Sequence, residues 1–207
     1  MSRLSGPRLA HRPGGWQVAG VVGVDDEAAL VRRACAGDER AFVELVAADR
    51  SAVWAVCLRI TGNRTDAEDA LQDTLLAAWR NLAQFRSDAK FSTWLFRIAA
   101  NAALAIVRRR PETVEIFDVV AMRGDPGDQV ADADRVQTAL MALPEVFRVA
   151  LVLRIYGDLS YEDIAVHQGI PVQTVKSRLW RARSMMHELL APASDTDESP
   201  RVPIISE

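Results

Sequence analysis

Between Leu159 and Arg183 the chain reads LSYEDIAVHQGIPVQTVKSRLWRAR, and its second half carries the residue types that read a DNA major groove. Gln173, Lys176, Ser177 and Trp180 share one face of a helical wheel, with Arg178, Arg181 and Arg183 flanking it. Amide, ammonium, hydroxyl and guanidinium groups hydrogen-bond base edges and phosphates, so the chemistry implied is recognition of duplex DNA. From Pro171 to His187 there are four basic residues and no acidic one. On the opposite face Val172, Val175, Leu179, Ala182 and Met186 form an apolar stripe at helical spacing.

The elements that must position this face are also legible. Ser160 followed by Asp163 marks a helix start of capping-box type. Ala165 is small where two helices must come close, Gly169 supplies the tight turn, and Pro171 suits the first turn of the next helix. The expected element is a helix-turn-helix; an ordinary helical hairpin with a solvated basic face is the plain alternative.

Two further helices carry faces of mixed character. In the helix expected from Thr65 to Trp79, opened by Thr65 with Glu68 as a capping box, Ala67, Leu71, Thr74, Leu75 and Ala78 form the core stripe. The other face holds Asp66, Asp69, Gln72, Asp73, Leu76 and Arg80. An apolar Leu76 within a polar ring has the anatomy of a protein interface, although single exposed leucines are also common. In the helix expected from Ser92 to Arg109, Leu95, Ile98, Ala99, Ala102 and Ile106 form the core stripe. Trp94, Arg97, Asn101 and Arg108 lie opposite. An aromatic ring among cations and an amide suits unstacked bases; Trp94 as a core residue is the alternative.

Charge is segregated along the chain. The 207 residues have a formal net charge of −3, which alone argues against a DNA binder. Yet Arg86 to Arg110 holds six basic residues against Asp88, and Pro111 to Asp134 holds seven acids against Arg123. That acidic stretch, with Gly124, Pro126 and Gly127, reads as a flexible linker. Ahead of it the pattern gives a short helix from Asp25, a long helix after Gly37 and Asp38 that stops at Gly62, and then the two helices above. Beyond it come helices at about Asp134–Met141 and Glu145–Tyr156, then the helix-turn-helix. The expected fold is all-α, with two small helical domains.

Composition bounds the function further. Apolar residues make up 49% of the chain, enough for the domains to fold. Cys35 and Cys57 have no paired spacing and read as buried structural thiols of a cytoplasmic protein. No run approaches the ~20 apolar residues of a membrane span. No nucleophile with base and orienter, phosphate loop or metal-ligand set can be assembled, so neither enzymatic activity nor a metal or other cofactor is expected.

The three blocks together resemble the extracytoplasmic-function (ECF, group 4) sigma factors of the sigma-70 family, over roughly Asp26 to Leu190. TDAEDALQDTLLAAWRNLAQF, from Thr65, is similar to region 2.2; KFSTWLFRIAANAAL, from Lys90, to regions 2.3 and 2.4; and the block from Leu159 to region 4.2. The resemblance implies a region 2 domain over 25–110, a linker over 111–133 and a region 4 domain over 134–190. The first 24 residues are expected to form a flexible extension outside the family core, and residues 191 to 207 a disordered tail. It further implies that Asp66, Asp69, Gln72, Asp73 and Leu76 dock on the β′ clamp helices of core RNA polymerase, and that the second domain meets the β flap. Lys90, Thr93, Trp94, Arg97 and Asn101 would hold the melted minus-ten strand. Gln173, Lys176, Ser177, Arg178, Trp180 and Arg181 would read the minus-thirty-five element, where Trp180 is bulky for a DNA-facing position. Promoter DNA and an anti-sigma factor are implied partners, with a monomer expected when free. The competing reading from the residues is a stand-alone helix-turn-helix regulator that binds duplex DNA without help.

Overall fold

The computed structural model describes residues 24–85, 89–110 and 128–191, which are helical, with no strand among them. They divide into two compact units, one ending at Ala48 and one beginning at Asp49. The acidic stretch over 111–127, the N-terminal extension through residue 23 and the tail from 192 lie outside the described residues.

The first unit is a pair of helices, α1 (Val24–Cys35) and α2 (Glu39–Ala47). Gly37 turns the chain between them with φ of 91°, a left-handed conformation that suits a residue without Cβ. Asp38 then caps α2, its Oδ1 accepting from the Ala41 N–H at 3.1 Å, while Arg33 Nη2 donates to its Oδ2 at 2.7 Å. The backbone N–H of Ala41 and the Arg33 guanidinium hold the Asp38 carboxyl below its ordinary value. Cys35, expected to be buried, is exposed: it is the last residue of α1, beyond the buried positions Leu30, Val31 and Ala34.

The long helix expected up to Gly62 is divided, α2 ending at Ala47 and α3 (Arg50–Thr61) starting afresh. Asp49 and Ser51 prefer caps and turns to helix interiors, and they fall at the break. Gly62 ends α3 with φ of 85°, its N–H bonded to the Leu58 carbonyl.

Helix α4 (Arg64–Asn81) begins one residue before the expected start, and its cap is Asn63, not Thr65. Asn63 Oδ1 accepts from the Asp66 N–H at 2.9 Å, and its Nδ2 donates to the Asp66 carboxylate. Asn is among the strongest N-caps, and Gly62 leaves it free to take extended backbone. After a short 3-10 turn (Leu82–Gln84), α5 (Phe91–Arg109) completes a three-helix layer with α3 and α4. The contacts are lined by Ala67, Ala70, Ala78, Ala99, Ala100 and Ala103, small residues that let helix axes approach. Val53, Val56, Ile60, Leu71, Leu95 and Phe96 fill the remaining core. Cys57 sits inside it; burial pushes its thiol up to about 12, against a smaller opposing effect of the Thr74 hydroxyl.

The second half of this unit comprises α6 (Asp128–Ala142), α7 (Glu145–Ile155), α8 (Tyr161–Gln168) and α9 (Val172–Leu190). Helix α6 starts at Asp128, inside the stretch read from sequence as linker. Its later residues Ala139 and Leu140 are buried. In α7, Val149 to Leu153 are all buried, because α3, α8 and α9 approach the helix from several sides.

Candidate nucleic-acid interface

The helix-turn-helix forms as its local signals require. Ser160 Oγ accepts from the Asp163 N–H at 3.0 Å, and the Asp163 carboxylate accepts from the Ser160 N–H and hydroxyl, a complete capping box. Gly169 closes α8 at φ of 63°. The Ile170 N–H reaches the Ala165 carbonyl and the Gly169 N–H that of Val166, so carbonyls freed at the helix end are bound as in a Schellman turn. Pro171 stands at the N-cap of α9, one position before the helix.

Within α9, Val175, Leu179 and Ala182 are buried, with Val172 and Met186 half-buried at the margins. Gln173, Lys176, Ser177, Trp180, Arg181 and Arg183 are exposed. Trp180 is 69% exposed, so its ring is not part of the core. Arg178 departs from the rest: it is half-buried, and its Nη1 donates to Gln168 Oε1 at 2.7 Å, while Gln168 Nε2 donates to the Val146 carbonyl. Gln168 thus ties the recognition helix to α7 and α8 and engages the guanidinium of Arg178. The sequence reading did not single Gln168 out, because its role depends on three helices meeting.

The two faces on α4 and α5 come together. Asp73, Leu76, Ala77 and Arg80 of α4 and Ile98, Asn101 and Ala102 of α5 line one groove of about 460 Å³. Its floor is apolar and its rim carries a carboxylate, a guanidinium and an amide. Leu76 is 44% exposed at its edge, an apolar anchor within polar groups. Ile98 and Ala102, read from sequence as core, are only half-buried. The buried arc of α5 runs instead through Phe91, Leu95, Phe96, Ala99, Ala100, Ala103 and Leu104, since α3 and α4 both pack on it.

Asp69, Gln72 and Asp73 are exposed on α4 as expected. Asp66 is not free: Arg110 Nε donates to its Oδ2 at 2.7 Å, and Arg110 Nη2 also binds the Thr61 carbonyl. Lys90 is exposed at the N-cap of α5, and Thr93 is half-buried one turn on. Trp94 is half-buried, its ring 5.4 Å from Phe85 and 5.6 Å from Phe91 between centroids. One part of the Trp94 ring is thus packed against Phe85 and Phe91, and another is accessible to solvent.

Arg97 turns toward the helix-turn-helix. Its Nη2 donates to Asp163 Oδ1 at 2.6 Å, with each side chain about a quarter exposed (24% and 26%). One turn along α8, burial and then the nearby Arg97 charge lower the basicity of His167 from its ordinary 6.5. A depressed histidine means that the folded chain binds fewer protons than the unfolded one. That stability is complete above about pH 6.5 and is lost as the pH falls through the lowered folded value. Thermal melts across pH 7.5 to 5.5 (about two units) are expected to show Tm falling on the acid side, with a smaller fall in His167→Gln. An identical acid slope in the variant would assign the effect to other groups.

The chain carries both halves of a two-domain transcription initiation factor. The Sigma-70 region 2 family profile matches residues 45–112, and the Sigma-70, region 4 profile matches residues 133–186. The chain is 35% identical to the ECF RNA polymerase sigma-E factor of Haemophilus influenzae over 180 residues, 79% of this chain and 95% of the relative. It is 36% identical to the RNA polymerase sigma-H factor of Pseudomonas aeruginosa over 79% of this chain and 93% of that protein. Among solved structures it is similar to CnrH in complex with the cytosolic domain of CnrY, with TM-score 0.63, 31% identity and coverage of 79% and 96% of the two chains. It is also similar to the sigma factor RpoE in complex with the anti-sigma factor NepR from Bartonella quintana, with TM-score 0.64, 30% identity and coverage of 72% and 96%.

The protein belongs to the ECF sigma factors of the sigma-70 family. It is an RNA polymerase sigma factor and not an enzyme. A stand-alone regulator is not favoured, because that reading leaves the region 2 match and its groove without a role. No helix among the described residues is long and apolar enough to cross a membrane.

Proposed function

We propose that this sigma factor directs core RNA polymerase to its promoters in the cytoplasm with a division of labour between two domains, region 2 over 25–110 and region 4 over 134–190. The observation that carries the proposal is the face of α9. It buries Val175, Leu179 and Ala182 and leaves Gln173, Lys176, Ser177, Trp180 and Arg181 to solvent. These residues read the minus-thirty-five duplex, with Arg178 held beside them by Gln168.

In region 2, Asp69, Gln72, Asp73 and Leu76 dock on the β′ clamp helices, and the rim of the α4–α5 groove is where that contact meets the DNA. Asp66, tied to Arg110, supports this face from its edge. Lys90, Thr93, Trp94, Arg97 and Asn101 hold the melted minus-ten strand. The cations follow phosphates, the accessible part of the Trp94 ring offers a stacking surface, and the Asn101 amide reads a base edge. Holding flipped bases offsets an unstacking cost of roughly a few kcal/mol. An anti-sigma factor controls the protein, a reading supported by its likeness to a sigma factor solved in complex with an anti-sigma factor.

The test is run-off transcription with purified core polymerase on promoter fragments from the source genome, with and without the protein. Specific transcripts that require the added chain are expected. Duplex binding by the chain alone, with no transcript, would favour the regulator reading instead.

A further inference from the structure

We infer that Gln168 is a positioning residue of the DNA reader: its neutral amide holds the Arg178 guanidinium at the margin of α9 as a clamp on a phosphate of the minus-thirty-five duplex. Arg178 then sets the register of α9 on the DNA and leaves the base reading to its neighbours. The inference rests on the proposed role of α9 as the duplex reader.

The geometry fixes both ends of the amide. Gln168 Nε2 donates to the Val146 carbonyl at 3.2 Å, and its Oε1 accepts from Arg178 Nη1 at 2.7 Å. One partner is an acceptor and the other a donor, so the amide can point only one way. Both anchors are rigid. Val146 lies in the first turn of α7, where its carbonyl also serves the helix backbone. Gln168 is the last residue of α8, where the left-handed Gly169 and the Ile170 N–H bond to Ala165 lock the chain. Among the described residues Arg178 forms this one hydrogen bond, through Nη1, so its Nε–Nη2 edge keeps two donors for a further ligand. Two donors in that fork match two oxygens of a phosphate.

The place of Arg178 on the helix points the same way. It stands about 100° round the helix from Ser177, and Arg183 about 120° round in the other direction. Gln173, Ser177 and Trp180 are exposed at the centre of the outward face, so the two arginines lie at its margins. A helix seated in the major groove sets its centre on base edges and its margins near the two phosphate backbones, and phosphate contacts fix register and orientation.

The neutrality of the amide matters equally. Arg64, Arg108 and Arg154, on other helices, meet carboxylates. A carboxylate at position 168 would also hold Arg178, but it would cancel the charge that draws the guanidinium to DNA. The amide restrains the side chain and leaves its charge whole, on a helix with no acidic residue before Glu188. Rotamer freedom that a long arginine would lose on binding is then already reduced in the free chain.

Equilibrium binding of the holoenzyme to fluorescent promoter duplexes tests this, across a salt series and across single base changes in the minus-thirty-five element. Arg178→Ala is expected to weaken binding about tenfold or more, equally on every duplex, and to lower the salt slope by about one. Gln168→Leu keeps the cation but frees it, so binding weakens about two- to tenfold with the salt slope unchanged. Gln168→Glu holds the guanidinium and neutralises it, so its salt slope falls as in Arg178→Ala. In the Arg178→Ala background, Gln168→Leu is expected to change binding by less than about twofold.

A merely structural Gln168 would weaken binding by the same factor with or without Arg178, and that result would overturn the inference. So would an Arg178→Ala loss confined to one base pair, which makes Arg178 a base reader, or a Gln168→Glu salt slope equal to the parent's. Lys176→Ala and Trp180→Ala separate the inference from the reading beneath it. If both bind at the parent level, α9 is not the duplex reader and the inference goes with it. If they weaken binding while the Gln168 variants do not, the inference alone fails.

Discussion

Lys176→Ala and Asn101→Ala each lower run-off transcription by roughly five- to 150-fold, the equivalent of the ~1–3 kcal/mol that a good base contact supplies. The two losses differ in kind. Lys176 is exposed on α9, one turn from Arg181, with no acidic residue on the helix before Glu188. If its ammonium meets a base edge, the loss is confined to promoters carrying that base and the salt dependence is nearly unchanged. If it meets a phosphate, the loss is uniform across promoters and the salt slope falls by about one. Asn101 stands on the groove rim beside Leu76 and Asp73, where the polymerase contact and the strand contact adjoin. Its loss acts after duplex recognition, so a template already unpaired at the minus-ten element should restore much of the activity. Parent-level transcription by both variants on a duplex promoter would remove these residues from the DNA interface.

Leu179→Ala destabilises the C-terminal helices by about 2–5 kcal/mol, the range for truncating a fully buried Leu. Leu179 is 1% exposed, and it lies on the face through which α9 packs on α7 and α8. The cavity cannot collapse easily, since Val175 and Ala182 on the same face are themselves fully buried. Domains hold only about 5–15 kcal/mol in all, so such a loss removes a large share of the stability of the DNA reader. Urea denaturation followed by far-ultraviolet circular dichroism is expected to show a lower midpoint. Transcription should weaken even though no DNA-facing residue has changed. A shift smaller than about 0.5 kcal/mol, the usual size for surface positions, would mean that α9 is not seated on this core.

The legible parts of the molecule share one property: they depend on a few consecutive residues. The Ser160–Asp163 cap, the left-handed Gly169 and the alternation of buried and exposed positions along α9 are local, and helix geometry alone places them. Where two local signals competed, the reading failed by a residue or two. Thr65 with Glu68 looked like the start of α4, but Asn63 after Gly62 was the better cap. A helix expected to run unbroken to Gly62 divides at Asp49, because propensity at the break outweighs an apolar spacing that continues across it. Cys35 reads from the sequence as a buried structural thiol, yet the end of a short helix leaves it exposed.

By itself the sequence determined the helical class, the helix-turn-helix with its polar outward face, and the three blocks that place the chain among ECF sigma factors. Residue order sets helical periodicity and caps, and these need no partner. Tertiary structure decided which half-apolar residues become core and which line a groove. Ile98 and Ala102 moved from one to the other because α5 packs against two helices at once. It also decided what occupies the charged groups: Arg97 on Asp163, Arg110 on Asp66, and Arg178 on Gln168. Those pairings join positions 66, 44 and 10 residues apart, and only the packed chain brings their oxygens and nitrogens within hydrogen-bond reach.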